Sequence, residues 1–258
     1  MDMVGGIRIP QTLISSAMAA TTWITNMADA VNHIEPTRHL KVFSPADFGS
    51  TRIDIIGVGA TGSRIALSIA KLGVSNLHIW DFDKIESHNL ANQAFGLADV
   101  GRPKVEAMAD LIKAQTGLEV VPHNEAVTGR TRLGNVVFLL TDTMKSRKEI
   151  WEGAIKYKPH ISAMIETRMG VDEGRVYVAR PTAPAEIDMW EGTLCDDKEA
   201  TESLCGSRIT VGPTAEVISG LAVWRFISWF KFHKDGGEAP PVETIMFLNP
   251  SGFMTRTP

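Results

Sequence analysis

RIDIIGVGATGSRIALSIAKLG, residues 52–73, decides the fold. RIDIIG (52–57) is a continuous β-type run that ends in glycine, and GSRIALSIAKLG (62–73) sets Ile65, Ile69 and Leu72 at helical spacing. GVGATG (57–62) joins them, which is the strand–turn–helix context that a glycine-rich anion loop requires. Gly57 permits the tight turn, Gly59 lets backbone approach a phosphate, and Gly62 lets the helix pack near the strand. The helix start adds unpaired N–H donors and a partial positive charge.

Outward from this loop the chain keeps alternating. NLHIWD (76–81) reads as a second strand, PKVEAMADLIKAQ (103–115) as a helix burying Val105, Met108, Ala109 and Ile112, and LEVVPH (118–123) as an edge strand. NVVFLLTD (135–142) is a buried strand, followed by a helix over 144–156. Such alternation predicts an α/β, Rossmann-like domain with a mostly parallel sheet flanked by helices. HISAMIETR (160–168) and RVYVARP (175–181) read as a hairpin appended to it, part of an antiparallel C-terminal extension. Residues 191–211 are polar and lack periodicity, the pattern of a mobile crossover loop. Gly212-Pro213 opens a long helix, and IMFLN (245–249) reads as a last strand. Residues 1–35 form an N-terminal helical arm on this reading, with 36–258 as the main domain.

Composition sets limits. The 258 residues carry 26 basic and 30 acidic side chains, a balance that argues against a broad basic face for nucleic acid. Two cysteines, Cys195 and Cys205, exclude a disulfide scaffold and a four-cysteine zinc site. The run after Arg8 is too rich in Ser, Thr and Gln for a signal-peptide core, and an amphipathic helix over about 11–32 fits its periodicity better. The apolar segment 215–232 contains Glu216, Arg225 and Lys231, which disfavours a bilayer span. The expectation is a cytoplasmic protein with no membrane partner.

The residues after the glycine loop carry the chemistry. Asp81 ends the second strand 19 residues beyond Gly62, where a carboxylate can take ribose hydroxyls. DFDKIESHNLANQAF (81–95) brings Asp83, Asn89, Asn92 and Gln93 towards the same crevice. Lys104 lies in a first helical turn, and Asp142 ends the buried strand. A lysine and an aspartate beside a phosphate site suggest Mg²⁺ and a triphosphate rather than a dinucleotide.

GVGATGS, DFDKIESHNLANQAF, DVGRPK and LTDTMKSR occur in the order and spacing of the ThiF/MoeB/HesA family, which the chain resembles over about residues 36–232. Members are related to the adenylation domains of ubiquitin-activating enzymes. The resemblance implies ATP bound along Gly57, Gly59, Ala60 and Gly62, ribose on Asp81, phosphates on Lys104 and Mg²⁺ on Asp142. It implies adenylation of a C-terminal carboxylate, usually that of a ubiquitin-like or sulfur-carrier protein, by a homodimer. A C-terminal carboxylate has a pKa of roughly 3.5 and is already a nucleophile at neutral pH, so no catalytic histidine is expected.

Departures from the family pattern are specific. Ala60 stands where many relatives have a second glycine, and Asn92 replaces the arginine of the family's NLxRQ motif. An amide offers neutral bonds where a guanidinium offers charge and a fork of donors. Arg64, just inside the glycine-loop helix, is a candidate substitute. Arg38, in PTRHLKVF, resembles the N-terminal arginine that the family inserts into the partner subunit's site. Cys205 stands seven residues before Gly212, at the position of the sulfur-handling cysteine of ThiF-type members. A reactive thiolate and an ordinary loop thiol both fit it. Cys195 lies where relatives have zinc cysteines, but the other ligands are missing and no structural zinc is expected. A non-catalytic ThiF-like binding module and a nicotinamide-dependent oxidoreductase are the competing functions, and a small-molecule acceptor stays open within the first.

Overall fold

A computed structural model describes residues 34–197 and 211–258. Residues 1–33 of the expected N-terminal arm (1–35), Cys205 and most of the expected crossover loop therefore lie outside the described residues.

Among the described residues one eight-stranded sheet runs in the order β3-β2-β1-β4-β5-β6-β7-β8. Its strands are β1 (Ile53–Ile56), β2 (Leu77–Trp80), β3 (Val121–His123), β4 (Val136–Leu139), β5 (Ala163–Met169), β6 (Glu173–Ala179), β7 (Glu243–Leu248) and β8 (Ser251–Arg256). The first five are mutually parallel and the last three antiparallel. The longer helices among the described residues are α1 (Ala60–Lys71), α2 (Lys104–Thr116), α3 (Met144–Ile150), α4 (Pro184–Glu191) and α5 (Gly212–Asp235), and a four-residue helical turn, Pro45–Phe48, precedes β1.

Both faces of the parallel sheet are covered, which is why its strands read as unbroken apolar runs. On β4, Val136 and Phe138 enter one core while Val137 and Leu139 enter the other. The larger core takes α1, α2 and α5, with Ile65, Ile69, Met108, Ile112, Ile218 and Phe226 all sealed from solvent. Phe43 and Phe48 close it against Phe226 and Phe230, with ring centroids 4.9–5.7 Å apart. The smaller core is built on Trp151 and Trp190, whose rings lie 4.5 Å apart.

Three local expectations change. β5 is not an appendage: it pairs in parallel with β4 (Val136↔Ala163) and only then turns into antiparallel β6 (Met164↔Ala179). The helix expected over 144–156 ends in a π turn at Trp151–Ile155, where Gly153 meets Gly129 so closely that a Cβ would stand 2.3 Å from the Gly129 Cα. Helix α4 and strand β8 went unrecognised; α4 opens on Pro184 in its first turn and buries Ile187 and Trp190. Among the described residues no helix is long and apolar enough to cross a membrane.

Candidate functional site

Strand order reverses around β1, which has β2 on one side and β4 on the other. Open α/β sheets bind ligands at such a switch point, outside the carboxyl ends of the strands. A cavity of about 560 Å³ lies there, lined by the glycine loop, the Asp81–Asp83 and Asn89–Gln93 segments, Lys104, and Thr141–Asp142.

Each loop glycine has a separate structural reason. Gly57 has φ +94°, and a Cβ on it would stand 2.7 Å from the Leu140 carbonyl oxygen. Gly59 caps α1 and has nothing within 4 Å of where a Cβ would sit, so the space above it is open. Gly62 lines no part of the cavity; its Cβ would fall 1.9 Å from the Gly57 carbonyl oxygen, so it sets the approach of helix to strand. Ala60 opens α1 and does line the cavity.

Asp81 is tied to this loop. Its Oδ2 accepts the Val58 N–H at 2.7 Å and its Oδ1 accepts the Asp83 N–H at 2.9 Å. Burial pushes the Asp81 carboxyl above the usual aspartate value, against the opposing pull of Lys104 and the two N–H donors. Lys104 Nζ reaches Asp83 at 2.7 Å and Asp81 at 3.9 Å, and is itself only 7% exposed. Asn89 spends its Oδ1 on the Glu86 N–H at 2.9 Å, so it shapes the 87–91 turn while lining the cavity. Gln93 turns a buried Oε1 that has no partner among the described residues. Asp142 is exposed at the cavity mouth, just before the Thr143 cap of α3.

The expected stand-in for the missing arginine is elsewhere. Arg64 donates to the Ala60 carbonyl at 3.0 Å and to the Asn92 carbonyl, and its Nε pairs with Glu216 at 2.7 Å. It is a tie between α1, the Asn92 turn and α5, and it does not line the cavity. Arg38 is exposed in a short 3-10 turn and is likewise outside the cavity lining. Cys195 is half-buried, while Cys205, the other cysteine of the chain, lies outside the described residues. Among the described residues no group of three His, Cys, Asp or Glu side chains is placed to hold a metal ion.

Sequence reasoning missed the cavity wall formed by Arg147, Thr167 and Arg168. The signal was present: MIETR puts Glu166 and Arg168 two residues apart on one face of a buried strand, where opposite charges meet. Glu166 accepts from Arg147 Nη1 at 2.6 Å, from Arg168 Nε at 2.8 Å and from Trp190 Nε1. Burial raises the Glu166 carboxyl, but Arg168, Arg147 and Trp190 outweigh it and hold the group below the usual glutamate value. His78 and His123 sit away from this wall, 2.9 Å apart, with His123 stacked on Trp80 at 3.6 Å; burial pulls both below the usual histidine value.

Comparison with known proteins agrees with this fold. The ThiS sulfur-carrier adenylyltransferase of Escherichia coli is 26% identical over 204 residues, 76% of this chain and 77% of that protein. The catalytic subunit of the NEDD8-activating enzyme of Arabidopsis thaliana is 34% identical over 105 residues, 38% of this chain and 23% of that protein. The chain thus spans under a quarter of the plant relative's length. The crystal structure of E. coli MccB with ATP superposes with a TM-score of 0.62 at 15% identity, covering 83% of this chain and 67% of that one, which establishes the fold. Residues 37–255 match the ThiF family as a unit, and by its loop, its sheet and this match the chain belongs to the ThiF family.

Proposed function

We propose that this cavity binds ATP with Mg²⁺ and activates a C-terminal carboxylate by adenylation, the acceptor being a small ubiquitin-like or sulfur-carrier protein. The observation that carries the reading is the convergence of Gly59, Asp81, Lys104 and Asp142 on one cavity at the sheet's switch point. The residues suit ATP: the space over Gly59 is open for a phosphate, and the buried oxygens of Gln93 and Thr141 have no partner among the described residues. Mg²⁺ commonly takes one or two carboxylates plus substrate phosphates, so a lone Asp142 at the mouth is a sufficient protein ligand.

ATP supplies the electrophilic α-phosphate when bound; the rest is positioning by the chain. In this reading Asp81, already fixed by the Val58 N–H, orients ribose hydroxyls, and Lys104 holds a fixed positive charge against phosphate. Asn89, Asn92 and Gln93 line the same cavity as Asp83. The acceptor carboxylate needs no general base at neutral pH, since it is ionised there. Arg38 serves in this reading only through a homodimer, in which it would enter the partner subunit's cavity. Whether the acyl group passes on to Cys205 is a separate step.

Acceptor-dependent exchange of labelled pyrophosphate into ATP tests the reading. Wild type supports exchange and Asp142→Ala loses it. Absence of ATP binding with every acceptor tried favours a non-catalytic module. Thermal stabilisation by NAD but not by ATP with Mg²⁺ favours the oxidoreductase, which leaves Lys104 and Asp142 without a task.

A further inference from the structure

The cavity has a second wall whose charge the glycine loop does not explain. Arg147, from the end of LTDTMKSR, is 7% exposed and lines the cavity beside Thr141, Thr167 and Arg168. Its Nε donates to the Thr141 carbonyl at 2.8 Å and its Nη2 to the Thr167 carbonyl at 3.3 Å. Among the described residues the carboxylate hydrogen-bonded to it is Glu166, through an Oε1 shared with Arg168, which grips both Glu166 oxygens at 2.8 and 3.1 Å. A guanidinium whose one hydrogen-bonded carboxylate is shared with a second arginine, and whose other acidic neighbour, Asp142, is exposed, is incompletely compensated for its burial. Burial pulls the Arg147 guanidinium below the usual arginine value, with Glu166 and then Asp142 pushing back and the like charge of Arg168 adding to the fall. Beside it the Thr141 hydroxyl is buried with no partner among the described residues. An under-compensated cation and an unpartnered hydroxyl on one cavity wall are the two halves of an oxyanion site.

The structure assigns Arg147, with the Thr141 hydroxyl, as an oxyanion-binding pair on the β4–β5 wall, supplying in cis the guanidinium that Asn92 does not. The anion is a phosphate of the nucleotide or the terminal carboxylate of the acceptor; both present the same oxygens to a guanidinium. The inference rests on the proposed function for which anion arrives, but needs only that the cavity take one. Arg147 is pre-set by two backbone carbonyls, so little ordering is needed on binding.

The test uses the full-length chain and titration calorimetry with ATP, adenosine, pyrophosphate, and a Gly-Gly-ending peptide as free acid or amide. Loss of one charge-assisted hydrogen bond is worth about tenfold to a hundredfold in affinity. If phosphate is the anion, Arg147→Met weakens ATP and pyrophosphate by that factor and leaves adenosine unchanged. If carboxylate is, Arg147→Met spares ATP and erases the preference for free acid over amide. Arg147→Lys restores most of the affinity in either case. Unchanged binding of every anion in folded Arg147→Met overturns the assignment, as does an equal loss of adenosine and ATP, which marks a structural role only. Should Arg147→Met not fold, the Arg147 Nε–H resonance of wild type, assigned by its absence from Arg147→Lys, carries the decision. Movement on adding pyrophosphate or the free-acid peptide, and not on adding adenosine, supports the assignment; no movement with any anion overturns it. Failure of wild type to bind ATP while pyrophosphate still moves that resonance counts against the proposed function and not against Arg147.

Discussion

Gly59 and Gly62, three residues apart in sequence, separate ligand binding from stability. A Cβ at position 62 falls 1.9 Å from the Gly57 carbonyl oxygen, and ordinary contact begins near 3.4 Å, so Gly62→Ala must push helix and loop apart by about 1.5 Å. Both atoms belong to backbone, so no rotamer change relieves the clash. Overpacking of this kind costs about 1–3 kcal/mol, and the better helix propensity of alanine returns at most about 1 kcal/mol. Because both atoms are backbone the cost lies in the upper half of that range, so the net loss is about 1–2 kcal/mol, a fall in Tm of about 2–8 °C for a chain of this size. Gly59→Ala meets nothing within 4 Å, and its φ of −86° lies outside the left-handed region. A poorer cap and a stiffer unfolded chain roughly offset each other, keeping its stability within about 1 kcal/mol of wild type. Its methyl group instead fills the open space over the loop and should weaken ATP by at least about tenfold, the worth of one charge-assisted hydrogen bond. Differential scanning calorimetry reads the first effect and titration calorimetry the second. Wild-type ATP affinity in Gly59→Ala, or a wild-type Tm in Gly62→Ala, would refute the reasoning.

Lys104→Met removes the one cation that opposes burial at Asp81, so the Asp81 carboxyl moves further up; carbon-detected titration of that carboxyl should show the rise, and an unchanged or lower midpoint contradicts it. Because the folded-state value is raised, Asp81 contributes stability that is present below the ordinary aspartate pKa and is lost as pH rises through the raised one. That window extends to higher pH in Lys104→Met. Trp190→Phe strips a donor from fully buried Glu166 and should cost about 1–3 kcal/mol in urea unfolding; a change under about 0.5 kcal/mol would mean the bond contributes little. If the acyl group moves on to sulfur, Cys205→Ser abolishes a thiol-sensitive conjugate on gels while pyrophosphate exchange survives; an unchanged conjugate leaves Cys205 a spectator.

Much of the parallel half was legible because its signals are local. The strand runs at 53–56 and 136–139 and the helical spacing of Ile65 and Ile69 each follow from one segment's own periodicity. The C-terminal half was less so. HISAMIETR shows a strand but not its neighbour, and the parallel partnership of β5 with β4 depends on a segment 27 residues upstream. Helix α4 was hidden in a polar surrounding, since its burial rests on just Ile187 and Trp190.

The sequence by itself determined the glycine loop, the carboxylate at Asp81 and the family, because turn geometry and strand ends are written in adjacent residues. Only the tertiary structure decided where the positive charge goes. Arg64 stands beside the loop in sequence yet its guanidinium is drawn to Asn92 and Glu216, while Arg147 and Arg168, from distant segments, form the cavity wall. Periodicity tells which face of an element is buried. Which charges meet across that buried face depends on strand order and register, and these are fixed only when the whole sheet assembles.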